Sequence, residues 1–166
     1  MDRRRWIIAA AGAVSAWAGP AHAAMRKAWP RRRATPALHI VTLDGQPWNL
    51  SAERGHAVLL NFWASWCEPC RSEMPMLEKF AREQRETGLH VLAVNYREGE
   101  PAVRRFLKSN ALALDVLRDA DGAAAKAFGV NIFPSTVAID AHGRTHVVAV
   151  GELDVGDLAE LVRQMA

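Results

Sequence analysis

Two cysteines separated by two residues are the side chains of this sequence best suited to chemistry. Cys67 and Cys70 lie in the stretch NFWASWCEPCRSEMP and are the only cysteines among 166 residues. A disulfide between them would close a very short loop and restrict the unfolded chain little, so it would be a poor structural crosslink. A strained, accessible disulfide is better suited to thiol–disulfide exchange. The spacing therefore favours a redox pair.

Three other uses of the pair remain open from the residues alone. One is a structural disulfide. A second is a metal site, although structural zinc needs four ligands and the sequence has no second CxxC and no close histidine pair to complete them. The third is a single-cysteine nucleophile, although a second thiol so near is more typical of an exchange pair. We expect neither a metal nor a cofactor.

The cysteines lie where a predicted buried strand ends and a predicted helix begins. AVLLNFWA (57–64) is a nearly continuous apolar run, as in a strand covered on both faces, and residues 68–87 have helical spacing that ends at Gly88. The first turn of a helix presents free N–H groups and a positive partial charge, which stabilise a thiolate at Cys67. Pro69 costs no hydrogen bond at that position.

The remaining segments predict an α/β fold with a mixed central sheet flanked by helices and an N-terminal strand pair. The strand pair is LHIVTLDGQPWNL, with a turn at Asp44-Gly45. The other predicted strands are LHVLAVNY, a short one within ALDVLRD, and the hairpin formed by STVAID and THVVAV. The other predicted helices are EPAVRRFLKSN, GAAAKAFG and DVGDLAELVRQMA.

The positive charge of the chain is concentrated at its N-terminus. Residues 1–33 hold eight Lys and Arg against one acid, which leaves 13 basic and 17 acidic residues, or −4, from Ala34 onward. The main part of the chain is therefore mildly acidic, and nucleic-acid binding by a basic domain is a poor interpretation.

The N-terminal residues resemble an export signal. Arg3, Arg4 and Arg5 precede an apolar run of 14 residues, Trp6–Gly19, which is short for a membrane span. The sequence AHA at 21–23 predicts cleavage after Ala23. A retained membrane anchor and a twin-arginine signal stay open. We therefore divide the chain into a signal peptide (1–23), a flexible basic linker outside the core (24–36) and one folded domain (37–166).

The motifs together resemble the thioredoxin superfamily, and most of all its exported TlpA/ResA-like thiol–disulfide oxidoreductases. The resemblance is carried by TLDGQPWNLSAERGHAVLLNFWASWCEPCRSEMPMLEKF, VLAVNY, FLKSN, LRDADGAAAKAFGV and FPSTVAID, and it extends from about Thr35 to the C-terminus. It implies a thioredoxin-like fold and dithiol chemistry. It says much less about the substrate.

The resemblance also implies roles for individual residues. Cys67 would attack a partner's disulfide, and Cys70 would resolve the mixed disulfide. Pro134 matches the family's cis-proline, and Phe133 before it stands where the family pairs its backbone with a substrate peptide. Glu73 matches an acid that relays protons in this subfamily; a solvated helix charge stays open as the alternative.

Partner contacts are expected around the cysteines, at Trp66, Glu68, Pro69, Phe133 and Pro134. Trp63 is assigned to the core. His90, His142 and His146 are interpreted as ordinary surface or edge residues, and Arg97, Glu98 and Glu100 as a solvated loop.

The main functional hypothesis is an exported reductase that keeps cysteine pairs of client proteins reduced. Export places the chain where disulfides form readily, so a reductant there needs electrons, and a membrane thiol relay is the expected donor. Family members of this type act on apocytochrome c or on copper-delivery proteins. A periplasmic oxidant or isomerase and a non-enzymatic redox-sensing binding module stay open as alternatives.

Overall fold

The computed structural model describes residues 24–165. The expected signal peptide, residues 1–23, lies outside this range. Within residues 24–165, no helix is both long enough and apolar enough to cross a membrane.

The centre of the fold is a mixed sheet of eight strands. They are β1 (Met25–Ala28), β2 (His39–Thr42), β3 (Pro47–Asn49), β4 (Ala57–Trp63), β5 (Leu89–Tyr96), β6 (Val116–Asp119), β7 (Ser135–Ile139) and β8 (Thr145–Val150), in the spatial order β1-β8-β7-β4-β5-β6-β2-β3. β4, β5 and β6 are parallel, and all other neighbours are antiparallel. The predicted N-terminal strand pair is the β2–β3 hairpin, whose turn contains Gly45 at φ +77°.

Four α-helices flank the sheet: α1 (Glu68–Gln84), α2 (Glu100–Ser109), α3 (Ala123–Phe128) and α4 (Val155–Arg163). The helix predicted over 68–87 ends as a 3-10 turn, Arg85–Thr87, before Gly88. The thioredoxin-like architecture predicted from the sequence is confirmed by this order of strands and helices.

The central strand β4 supplies side chains to two separate cores. Leu59 and Trp63 point to one face, where the buried residues of α1, α2 and α4 pack. Val58, Leu60 and Phe62 point to the other face, against Phe128 and its neighbours on α3. This alternation follows from the period of two residues along a strand. It also turns the intervening Asn61 toward α1, beneath the cysteine motif.

The prediction of a flexible linker over residues 24–36 is wrong for the first half of this segment. Met25–Ala28 form strand β1, which pairs with β8 at the edge of the sheet. Trp29 follows, with 8% of its surface exposed, and its ring packs against Phe128 at 6.0 Å between centroids. All four side chains of β1 are exposed, so the strand has no apolar alternation. It is held by its backbone hydrogen bonds to β8 and by the ion pair between Arg26 and Asp157 of α4. The folded unit therefore begins well before residue 37.

Candidate active site

The two cysteines form a disulfide at the start of α1. Cys67 is the N-cap residue of the helix, and its sulfur accepts a hydrogen bond from the Cys70 backbone N–H at 3.3 Å. Pro69 occupies the first turn, where its missing N–H leaves no helical hydrogen bond unmade. Cys67 is 6% exposed and Cys70 is completely buried. Cys67 is therefore the sulfur that a partner can reach more easily.

Glu73 lies one helical turn after Cys70 and is buried, with 2% of its surface exposed. Its Oε1 accepts a hydrogen bond from Asn61 Nδ2 at 2.7 Å, and its Oε2 accepts one from the Leu153 backbone N–H at 3.0 Å. Asn61 Nδ2 also donates to Thr136 Oγ1, at 3.1 Å. Glu73 is therefore not the solvated helix charge that the sequence left open.

The surroundings of Glu73 favour its neutral form. Burial raises the pKa of Glu73 to about 7, although the hydrogen bonds from Leu153 and Asn61 favour the carboxylate, and the nearby negative charge of Glu152 raises the pKa further. Ser72 Oγ donates to Glu152 Oε1 at 2.6 Å and so links helix α1 to the loop that follows β8. Glu73 can consequently gain or lose a proton near neutral pH.

The loop before β7 completes the surroundings of the disulfide. The Phe133–Pro134 peptide bond is cis, and the Pro134 carbonyl accepts a hydrogen bond from the Gly151 N–H at 2.9 Å. The ring of Phe133 meets the edge of Trp66 at 6.0 Å between centroids. Trp66 is 64% exposed, as expected from the sequence, whereas Trp63 is fully buried.

The structure separates the predicted contact residues by accessibility. Trp66, Glu68 and Pro69 are exposed beside the disulfide, Phe133 is half-buried, and Pro134 is buried. All of them lie at the end of the sheet where β4 ends and β7 begins.

Glu98 is a site residue that sequence reasoning missed, since residues 97–100 were interpreted as a solvated loop. Its carboxylate accepts hydrogen bonds from the Ser65 N–H at 2.7 Å, from Ser65 Oγ at 2.5 Å and from Asn95 Nδ2 at 2.7 Å. These bonds fasten the segment before Cys67 to the end of β5. Ser65 and Glu98 are 33 positions apart in sequence, and no local pattern connects them.

Two of the histidines interpreted as surface or edge residues pair with acidic side chains. His90 contacts Glu53, and His146 contacts Asp140. Within residues 24–165, no group of three or more His, Cys, Asp or Glu side chains is placed to hold a metal ion.

The part of the chain that holds the cysteine pair and the cis-proline loop is matched by a family model. The model, described as Redoxin, covers residues 26–163. This chain belongs to the Redoxin family. The match begins within β1, in agreement with the place of that strand in the sheet.

Curated relatives of this redoxin include a thiol-disulfide oxidoreductase and a thioredoxin-like protein. The chain is 34% identical over 127 residues to the thiol-disulfide oxidoreductase ResA of Halalkalibacterium halodurans. The match covers 75% of this chain and 72% of the relative. The chain is 37% identical over 121 residues to the thioredoxin-like protein YneN of Bacillus subtilis, covering 71% of this chain and 70% of the relative. The predicted ResA-like membership of the thioredoxin superfamily is confirmed.

Solved structures give the same fold. A putative thiol:disulfide interchange protein DsbE from Chlorobium tepidum superposes with a TM-score of 0.72 at 26% identity, covering 80% of this chain and 96% of that structure. A putative thioredoxin from Neisseria meningitidis superposes with a TM-score of 0.71 at 32% identity, covering 79% of this chain and 88% of that structure. This redoxin is therefore a thiol–disulfide oxidoreductase whose redox pair is Cys67 and Cys70.

Proposed function

We propose that this redoxin is an exported reductase that transfers two electrons to disulfides of client proteins. The clients would be proteins that take part in the maturation of cytochrome c or of copper sites. A membrane thiol relay would return the electrons. The observation that carries the proposal is Glu73, an acid with a pKa of about 7 buried one turn beyond Cys70.

Cys67 acts first in the proposed reaction. Its thiolate attacks one sulfur of the client disulfide, a mixed disulfide forms, and the client's other sulfur leaves as a thiolate. The N-cap position supports this role, because the free N–H groups of the first turn stabilise negative charge on Cys67. The greater exposure of Cys67 supports it as well.

Cys70 must lose its proton before it can complete the reaction. Its thiolate then attacks the Cys67 sulfur, a Cys67–Cys70 disulfide forms, and the client's second sulfur is released as a thiolate. Cys70 is completely buried, so water is a poor acceptor for its proton. A carboxylate with a pKa near 7, one turn away on the same helix, can accept the proton and later return it.

The client is proposed to bind across the cis-proline loop. Trp66 and Ile132 are exposed apolar side chains, at 64% and 52%. The ring of Trp66 contacts that of Phe133, and Ile132 directly precedes Phe133 in sequence. Exposed apolar side chains beside a reactive centre suit contact with an unfolded or extended polypeptide. The backbone beside Pro134 would pair with the client, as the family resemblance implies.

Trapping of the mixed disulfide tests this proposal. Cys70→Ser removes the resolving thiol, so the protein expressed in a Gram-negative periplasm should accumulate covalent adducts, and the adducts should include proteins with haem-binding or copper-binding cysteine pairs. Cys67→Ser is the matched control and should give no adducts. Trapping through Cys70 in the Cys67→Ser variant would reverse the assigned roles. Adducts only with proteins that acquire or reshuffle disulfides while they fold would favour the oxidant or isomerase.

Turnover separates an enzyme that acts on clients from a redox-sensing binding module. The reduced wild-type protein should reduce a model protein disulfide repeatedly when a chemical electron donor is supplied. A single stoichiometric oxidation without turnover would support the binding module.

A further inference from the structure

Arg97 has an unusual backbone conformation beside the active site. It follows β5 directly and has φ +55°, in the left-handed region that residues with a side chain rarely adopt. Among residues 24–165, Ala111 is the only other residue besides glycine with positive φ. Unfavourable backbone conformations often persist where the placement of a side chain serves function.

Two contacts hold the Arg97 guanidinium in one place. Its Cζ lies 5.3 Å from the ring centroid of Tyr96, and its Nε donates to the Asp121 carbonyl at 2.9 Å. A Cβ added at Gly122 would lie 2.6 Å from Arg97 Nε. Gly122 therefore provides the space in which the guanidinium rests.

The guanidinium borders an open groove of about 590 Å³. The charged residues that line the groove are Arg97, Lys126 and Asp121, so the groove carries one net positive charge. The Asp121 carboxylate accepts a hydrogen bond from the Ala123 N–H at 3.0 Å. This contrasts with the exposed acids nearest the disulfide, Glu68 and Glu152.

A continuous row of aromatic rings connects the groove with the cysteine motif. The ring of Tyr96 lies 4.7 Å from that of Phe133, and Phe133 lies 6.0 Å from Trp66, the residue before Cys67. An extended peptide advances about 3.3 Å per residue, so a client bound along this row would reach Arg97 within about five residues of the attacked cysteine.

We propose that the groove between Arg97 and Lys126 is a specificity subsite for a carboxylate side chain of the client. Arginine suits this ligand, because its planar guanidinium can donate two parallel hydrogen bonds to a carboxylate. The subsite rests on the proposed reductase function and determines which disulfides are reduced fastest.

Matched peptides test the subsite. Reduced protein is mixed with cyclic disulfide peptides that carry one Asp at each flanking position up to five residues from the cysteines, and with the same peptides carrying Asn. Stopped-flow tryptophan fluorescence gives the second-order rate constants. At one position or more, we expect the wild-type protein to prefer Asp over Asn by about 3- to 5-fold, as for a partly exposed ion pair, and to lose most of this preference at high salt.

Three variants test which side chains cause the preference for Asp over Asn. Arg97→Asn keeps a residue that tolerates the left-handed backbone and should lower the preference below about 2-fold. Lys126→Gln should lower it partly. Arg105→Gln, an exposed arginine on α2, is the matched control and should retain it. A wild-type preference that persists in Arg97→Asn, or equal rates for Asp and Asn peptides at every position, would overturn the subsite while leaving the reductase intact. Failure to reduce any peptide would reject the reductase and the subsite with it.

Discussion

The two sulfurs of the redox pair have different surroundings although they are bonded to each other. Cys67 caps the helix at the surface, whereas Cys70 lies inside the first turn and is completely buried. A thiolate is stabilised more strongly the closer it lies to the free N–H groups of the helix N-terminus. Its reaction with a reagent also requires that the reagent can reach the sulfur.

We therefore expect the thiols of the reduced protein to be alkylated in a fixed order. Limiting iodoacetamide at neutral pH should modify Cys67 first, because Cys67 caps the helix and is the more exposed of the two cysteines. Peptide mass spectrometry after short reaction times measures the order. Preferential modification of Cys70 would exchange the two proposed roles.

Glu73 links proton binding to the stability of the oxidised protein. Its pKa is about 7 in the folded protein, above the ordinary value of 4.5, so the folded state binds the proton more tightly than the unfolded state does. The resulting stability is fully present below pH 4.5 and is lost as the pH rises through 7. The size of this loss is about 3 kcal/mol for a shift of this size.

We expect Glu73→Gln to remove this pH dependence. Urea unfolding of the disulfide-containing protein between pH 4.5 and pH 8 should show wild-type stability falling by about 3 kcal/mol relative to the variant. Glu83→Gln, at an exposed position of the same helix, is the control and should follow the wild type. Parallel curves for wild type and Glu73→Gln would mean that Glu73 titrates at its ordinary value.

At the scale of elements, predictability from sequence depends on whether burial leaves a pattern. β4 and β5 are buried along nearly their whole length and are continuous apolar runs, so both were predicted with their positions. β1 is exposed at every position and carries two adjacent basic residues, so nothing in its composition distinguishes it from a linker. Trp29 was the available signal, since a tryptophan seldom remains in a solvated segment.

The site shows the same limit. The cysteines belong to a local motif and were predicted from it, and Pro134 was assigned through the family resemblance. The burial of Glu73 depends on Asn61, on a strand under the helix, and on Leu153, which is 80 positions away. The spacing of Glu73 from Cys70 is compatible with either an exposed or a buried carboxylate, because only the packing of the helix on the sheet decides which way the side chain points.

The contribution of the N-terminal strand can be measured through the residue that anchors it. Trp29→Ala should lower the free energy of unfolding by about 3 kcal/mol, because it removes a large side chain from the core around Phe128. Met25→Ala is the matched control in the same segment: Met25 is 64% exposed, and the change should stay within about 0.5 kcal/mol. Equal effects of the two substitutions would contradict the contribution of Trp29 and would support the flexible linker predicted over residues 24–36.

At the scale of the whole molecule, the chain enters the fold at the catalytic end. Ala24 precedes β1 and lies next to Gly151, whose N–H bonds to the Pro134 carbonyl. A cut after Ala23 would therefore leave β1 complete, whereas a retained anchor would hold the disulfide close to the membrane surface.

We expect the cut. N-terminal sequencing of the protein from a Gram-negative periplasm should start at Ala24, and the protein should be released by osmotic shock. Recovery of intact Met1 in the membrane fraction would contradict cleavage and would support the anchored alternative.

The direction of electron flow depends on how the whole site balances charge around the reduced pair. The helix N-terminus stabilises the Cys67 thiolate by about 0.3–1 kcal/mol, whereas an ionised carboxylate nearby destabilises it and raises the thiol pKa. Glu68 has a side chain that is 84% exposed, so water screens its charge, but Glu73 is buried next to the pair. Glu73 thus disfavours the reduced thiolate form, and a relatively stable disulfide makes the couple more reducing.

We therefore expect a reduction potential nearer to the value of about −270 mV found for thioredoxin than to the value of about −120 mV of a strong periplasmic oxidant. Glu73→Gln should raise the potential at pH 8, where the wild-type acid is mostly ionised, by about 10–30 mV, since 30 mV corresponds to about 1.4 kcal/mol. Glu68→Gln is the matched control and should change it by less than about 5 mV, because an exposed charge interacts weakly. Equilibration with glutathione or dithiothreitol buffers gives the potentials, and thiolate absorbance against pH gives the Cys67 pKa in the same variants. A potential in the range of the strong oxidants would contradict the reductant and favour the oxidant, whereas a low potential that does not respond to Glu73→Gln would contradict only the role of Glu73 in setting it.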